Sequence, residues 1–170
     1  MSEQWFVVNV RDAEWLTSEG GEKQPTGSEC TFEDDEHPFE QYGIRIHVLP
    51  PGEPNGFYHA ESQQEDFLVL QGECILLVES EERRLRQWDV VHSPAGTEHV
   101  FVGAGDGPCV IFMVGGRTGD WRVRFPVSEL AARYNASAAR EVTRPRDAYV
   151  GVIEPSRQGR PSYWKHLPWA

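Results

Sequence analysis

The sequence predicts an all-β domain, a sandwich or barrel of short strands, and three observations carry that expectation. Between residues 42 and 117 the chain alternates β-rich runs with turn signals. That gives six or seven strands at roughly 8–12-residue spacing. Sixteen glycines and 12 prolines are frequent punctuation for 170 residues and disfavour a helical bundle. Apolar residues at 39% and charged residues at 25% suffice for a packed core, and the length fits one domain, 1–170.

The elements follow in order. Residues 5–10 (Trp5, Phe6, Val7, Val8, Asn9, Val10) read as a strand. Residues 17–40 read as an acidic surface loop, with Gly20, Gly21, Pro25 and Gly27 ahead of Glu33, Asp34, Asp35 and Glu36. This acidic N-terminal part spans about 1–43. The core barrel spans about 44–117, with β-rich runs at 44–49, 57–61, 66–70, 73–79, 90–93, 98–102 and 109–114. The runs break at Pro50-Pro51-Gly52, Gln71-Gly72, 80–82, Pro94-Ala95-Gly96 and 103–108. Glu81, Glu82, Arg83, Arg84 and Arg86 read as a solvated turn. One short helix is expected over 128–139, with Ser128 as N-cap and Glu129 in the first turn. The remaining tail carries Pro145, Pro155, Pro161 and Pro168 among Tyr149, Tyr163, Trp164 and Trp169. It reads as extended, anchored by its aromatics on the barrel or on a second subunit.

Charge excludes whole classes of partner. The net charge is −11, so a phosphate backbone and an anionic membrane surface are repelled. No apolar run approaches the roughly 20 residues a membrane span needs, and the N-terminus does not read as a signal peptide. Three widely spaced cysteines (Cys30, Cys74, Cys109) make neither a disulfide framework nor a zinc motif, so a reducing cytoplasm is expected. The charge is also uneven. Residues 1–50 hold 11 acids and 3 bases, 51–115 again 11 and 3, and 116–170 hold 5 and 10. The two parts could attract each other within the chain or between subunits, and a homodimer is the expected assembly.

Strand parity points to a chemical site. Side chains at i and i+2 share a strand face, so His59 and Glu61 point the same way, and Glu65 keeps that parity. A second strand bearing His99 opposite them completes two imidazoles and two carboxylates, a set suited to a divalent first-row metal. Unpaired carboxylates inside an apolar barrel cost several kcal/mol, which a bound dication offsets. By the same parity Phe57, Phe67, Val69, Phe101 and Met113 share the inward face. Phe57, Phe67, Phe101 and Met113 would be pocket wall, and His47 is a further candidate lining residue. His92 reads as a strand residue with a local partner.

These residues resemble the two motifs of the cupin superfamily. The first motif runs G-x5-H-x-H-x3,4-E-x6-G. His59, Glu65 and Gly72 match it, with Glu61 where the second His stands and Glu53 at the leading Gly. The second runs G-x5-P-x-G-x2-H-x3-N. Pro94, Gly96 and His99 match it, with Trp88 at the first Gly and Gly103 at the final Asn. Fifteen residues lie between the motifs, as in small single-domain microbial cupins of the conserved-barrel type. The resemblance implies an antiparallel double-sheet β-barrel, a jelly roll. It also implies one metal ion (Fe, Mn, Zn or Ni) held by His59, Glu65 and His99. Glu61 is then either the fourth ligand or a catalytic base beside a two-His, one-carboxylate set.

One absence narrows the substrate. No Lys or Arg occurs over 46–82 or 87–116. The strands offer no clamp for an anionic group, except Arg45 and Arg117 at strand ends or the basic tail. The expected ligand is a small, uncharged or apolar molecule. The expected function is a metal-dependent cupin, dioxygenase-like or isomerase-like. The alternatives are a non-catalytic small-molecule binding cupin and a metal-free acid/base isomerase using Glu61 and His99.

Overall fold

The computed structural model describes residues 5–18, 27–150 and 157–170. Every strand pairing within it is antiparallel. The strands are β1 (Trp15–Ser18), β2 (Gly27–Thr31), β3 (Tyr42–Leu49), β4 (Ala60–Glu61), β5 (Glu65–Gln71), β6 (Glu73–Val78), β7 (Glu81–Arg86), β8 (Val90–Ser93), β9 (His99–Ala104), β10 (Cys109–Gly116), β11 (Val123–Arg124) and β12 (Arg157–Gln158). A seven-stranded sheet runs β12-β1-β2-β3-β10-β5-β8. A three-stranded sheet runs β7-β6-β9, and β11-β4 forms a short ribbon. A single bridge between His59 and His99 joins that ribbon to β9.

The two larger sheets close on one apolar core. Leu49, Phe67, Val69, Cys109 and Ile111 come from one, and Cys74, Leu76 and Phe101 from the other. These are aliphatic, aromatic and small apolar side chains at every second position, the pattern that buries one face of a strand. The outer face of the large sheet is also covered. Ile46, Val48 and Val110 pack under Trp15, Leu167, Trp164 and Trp169. The aromatic tail therefore packs on the barrel, one of the two placements the sequence left open. The outer face of the small sheet (Leu77, Val100, Val102) is covered by Tyr58, Ala131 and Ala136. The architecture is the all-β double-sheet barrel expected. Among the described residues no helix is long and apolar enough to cross a membrane.

Four local expectations are corrected. Residues 5–10 form no strand; Trp5, Val7 and Val8 are exposed, with no ladder partner among the described residues to reward their β-propensity. The stretch read as an acidic loop contains β2, whose alternating burial pairs it with both β1 and β3; its residues 19–26 lie outside the described set. The charged turn at 81–86 is β7, an exposed strand paired along its length with β6. The helix expected over 128–139 is only α1 (Glu129–Ala132), and a second short helix, α2 (Pro145–Ala148), sits in the tail. Ser128 does cap α1, accepting from Ala131 N. The turn that follows ends at Asn135, whose φ of 55° reverses the chain.

Candidate metal centre

The barrel interior has two zones. At one end the apolar core fills it. At the other lies a cavity of about 680 Å³, lined by His47, His59, Glu61, Glu65, Phe67, His99 and Met113 among others. The register explains why space opens there. Glu65 on β5 stands opposite Gly115 on β10, and Gly115 stands opposite Gly43 on β3. One row of the large sheet thus carries a carboxylate flanked by two residues without side chains. The next inward row, Phe67–Met113–Arg45, forms the neighbouring wall.

Three ligand-type side chains converge at this cavity. One donor atom each from His59, Glu65 and His99 falls within 4.8 Å of the others. His99 Nε2 stands 3.5 Å from Glu65 Oε2. The backbone bridge between His59 and His99 sets the imidazoles side by side, with ring centroids 5.0 Å apart. Both rings are oriented by the main chain: His59 Nδ1 meets Phe57 O at 2.7 Å, and His99 Nδ1 meets Thr97 O at 3.1 Å. A carbonyl only accepts, so in the neutral rings Nδ1 carries the proton and Nε2 is bare.

The electrostatics match that donor set. Burial pushes Glu65 up to about 8, the negative charge of Glu61 adds to the effect, and Arg45 opposes it. Burial pulls His99 down to about 4, helped by His59, and pulls His59 down as well. The barrel therefore presents neutral imidazoles beside a carboxyl group whose charge lacks compensation. A divalent cation would satisfy all three at once, and the 3.5 Å between His99 Nε2 and Glu65 Oε2 suits two ligands about 2.0–2.2 Å from a shared ion. The residues fit a metal.

Glu61 lines the same cavity but stands outside this three-residue group. Its Oε2 accepts a hydrogen bond from Trp121 Nε1 at 2.7 Å. Of the expected wall residues, Phe67, Met113 and His47 line the cavity. Phe101 and Phe57 are not among its lining residues. Phe101 is fully buried behind Phe67, with ring centroids 4.7 Å apart, so it forms core beneath the site. Phe57 stacks on Tyr149 and lines a separate groove beside α2. His59 and Phe57 share strand parity only if the strand is regular, and here the ladder begins at β4. His92 is exposed and bonded to Asp66 at 2.6 Å.

Both candidate cations reach the cavity, and both are engaged. Arg117 makes two bonds to Glu33, at 2.7 and 2.5 Å, and Arg45 Nη1 lies 3.4 Å from Glu29. Trp121, Val123, Phe125 and Tyr149 close the cavity from the segment after β10; of these the sequence singled out only Tyr149, as a tail anchor and not as a lining residue. Nor did it single out Glu29, although the alternating 27–31 stretch was its signal.

Residues 45–115 match the family model for the cupin domain. No curated protein sequence matches the chain. Solved structures share its fold. A sugar phosphate isomerase of the cupin superfamily from Silicibacter pomeroyi aligns with a TM-score of 0.63 and 19% identity, over 90% of this chain and 99% of that one. A cupin 2 conserved barrel domain protein from Rhodopseudomonas palustris gives 0.58 and 17%, over 71% and 82%. A polyketide cyclase from Streptomyces resistomycificus gives 0.55 and 14%, over 66% and 79%. Identities this low speak to fold alone.

Proposed function

With residues 45–115 forming a cupin domain, we propose that the protein is a metal-dependent enzyme acting on a small, oxygen-bearing, uncharged molecule. His59, Glu65 and His99 hold the ion. The observation that carries this reading is their convergence within 4.8 Å at the wall of a cavity of about 680 Å³. When bound, a dication supplies Lewis-acid polarisation of a substrate oxygen or, as iron, reaction with dioxygen. Glu61, held by Trp121, is a carboxylate at the edge of the triad and serves as a proton acceptor or completes the ligand set. Phe67, Met113, Val123 and Phe125 give the cavity apolar wall. A neutral substrate is supported by the engagement of Arg45 and Arg117, whose guanidinium groups already face carboxylates.

A second reading is favoured by the donor set: two His and one carboxylate is the arrangement of non-haem Fe(II) oxygenases. One experiment separates the readings. Protein purified without chelator is analysed for metal and followed with an oxygen electrode. Stoichiometric iron with substrate-dependent oxygen uptake supports the oxygenase; another first-row metal without uptake supports Lewis-acid chemistry. His59→Ala combined with His99→Ala is expected to abolish metal binding and the stabilisation it brings. Unchanged metal content in that variant overturns the assignment.

A further inference from the structure

The three ligand-type residues are not supported alike. His59 and His99 each have Nδ1 held by a backbone carbonyl, Phe57 O at 2.7 Å and Thr97 O at 3.1 Å. The Glu65 carboxyl has no such anchor. Its contact with His99 Nε2, at 3.5 Å, is to a fellow ligand, and among the described residues no hydrogen bond from the rest of the protein reaches it. Ser93 shows the complementary defect. Its Oγ is buried and makes no hydrogen bond among the described residues. Trp169 Nε1, in the tail, is the other buried side-chain atom there without a partner. Ser93 is 2% exposed. A hydroxyl shut away from water without a partner is costly, and an alanine methyl would occupy the same space without that cost.

The ladder brings the two together. Ser93 on β8 is the direct register partner of Glu65 on β5. Direct partners share a face of the sheet with Cβ atoms about 4.5–5.5 Å apart, within the combined reach of a serine hydroxyl and a glutamate carboxyl. On the other side of Glu65 the partner is Gly115, which has no side chain to offer. Ser93 is not among the residues lining the cavity, so it stands behind Glu65 and not in front of a substrate.

We propose that Ser93 is a positioning residue of the metal centre, its hydroxyl donating to the Glu65 carboxylate when Glu65 ligates the ion. This rests on the metal-binding reading and adds the support that one of its three ligands lacks. An ionised carboxylate only accepts, so the hydroxyl is the donor, and a charged acceptor makes the bond a strong one. Serine has a single side-chain torsion to fix, so aiming the donor costs little entropy. The backbone that carries it is set in advance. Ser93 leads into the turn of residues 94–97, which is closed by Thr97 N and Thr97 Oγ1 on Pro94 O at 3.1 and 2.8 Å. Gly96 N ties the same turn to Glu61 O at 2.7 Å. One turn therefore serves two ligands: it orients His99 through the Thr97 carbonyl and Glu65 through the residue at its entry.

The test uses full-length protein stripped with a chelator and titrated with Co2+, whose d–d absorption reports the geometry of its ligands. Ser93→Ala is expected to weaken Co2+ binding about 10–100-fold and to shift those bands. Its metal-free melting temperature is expected to stay at or above that of wild type, because the change removes an unpartnered hydroxyl and leaves no group unsatisfied. A packing role would instead lower the metal-free melting temperature. A crystal structure of Zn2+-loaded wild type is expected to place Ser93 Oγ about 2.5–3.0 Å from a Glu65 carboxylate oxygen, and this distance decides the matter if Ser93→Ala does not fold. Three results overturn the proposal. The first is Co2+ affinity and spectrum unchanged in Ser93→Ala. The second is an affinity loss in a folded variant whose metal-free melting temperature lies more than about 4 °C below wild type. The third is an Oγ farther than about 3.5 Å from both Glu65 oxygens in the loaded protein. A failure of the metal reading itself is seen first and separately, as wild type that binds no Co2+.

Discussion

Replacing Glu65 with Gln tests whether this carboxylate is kept for a cation or for packing. Gln has nearly the same shape but no charge to lose, so the change isolates ionisation. In the metal-free protein burial lifts the Glu65 carboxyl from 4.5 to about 8, and the side chain is 16% exposed. Its pKa is raised on folding, so the stability linked to its protonated form is complete below pH 4.5 and drains away as pH rises to about 8. At pH 7 the unfolded chain has released this proton and the folded chain still holds it. With about 1.36 kcal/mol for each tenfold change in proton affinity, that difference costs the folded state about 3 kcal/mol. Residual solvent contact trims it to about 2–3 kcal/mol. Metal-free Glu65→Gln is therefore expected to melt about 4–12 °C above wild type at pH 7, from about 2–4 °C per kcal/mol for a chain of this size. The gap should close toward pH 4.5. Adding metal reverses the order. Wild type gains about 4.1 kcal/mol at a concentration about 1,000 times its Kd, which exceeds its metal-free deficit, and the variant, having lost its carboxylate ligand, gains little. Calorimetry with and without metal, at pH 5, 7 and 8.5, reads all of this. A metal-free variant no more stable than wild type at pH 7, or one that keeps the full metal-dependent gain, refutes the reasoning.

Three further outcomes follow from packing and backbone. Gly103→Ala is expected to destabilise by about 3 kcal/mol, because a Cβ there would sit 2.0 Å from Pro50 O; a melting temperature within 2 °C of wild type would contradict this. Trp88 holds a left-handed φ of 77° and is 67% exposed, so Trp88→Gly is expected to stabilise by about 1 kcal/mol, read as a small rise in Tm. Cys30, Cys74 and Cys109 are all buried, and desolvation pushes the Cys30 thiol up to about 12, so a thiol reagent should label none of them in native protein and all three in guanidinium.

Trp88, in the turn before β8, and Gly103, in β9, show how a motif and a backbone correspond. Trp88 and Gly103 occupy positions where the cupin motifs carry Gly and Asn. Trp88 adopts the left-handed conformation that makes Gly the easy choice, so the substitution changes the residue and leaves the turn. Gly103 lies under the Pro50 carbonyl, where no Cβ fits.

By itself, the sequence determined most of the strands between residues 42 and 116 and their faces, because period-two burial is a property of consecutive residues. It also determined the spacing that brings His59, Glu65 and His99 toward one interior. Only the tertiary structure decided which strand lies beside which. Glu29 meets His47 through a register between residues 18 positions apart, and Arg117 meets Glu33 across 84. Trp121 likewise reaches Glu61 from 60 residues away. Cross-strand register is chosen by the burial of whole faces and by loop closure, which no local pattern records. The pairings that hold the cavity's charges therefore became visible only once the sheets had closed.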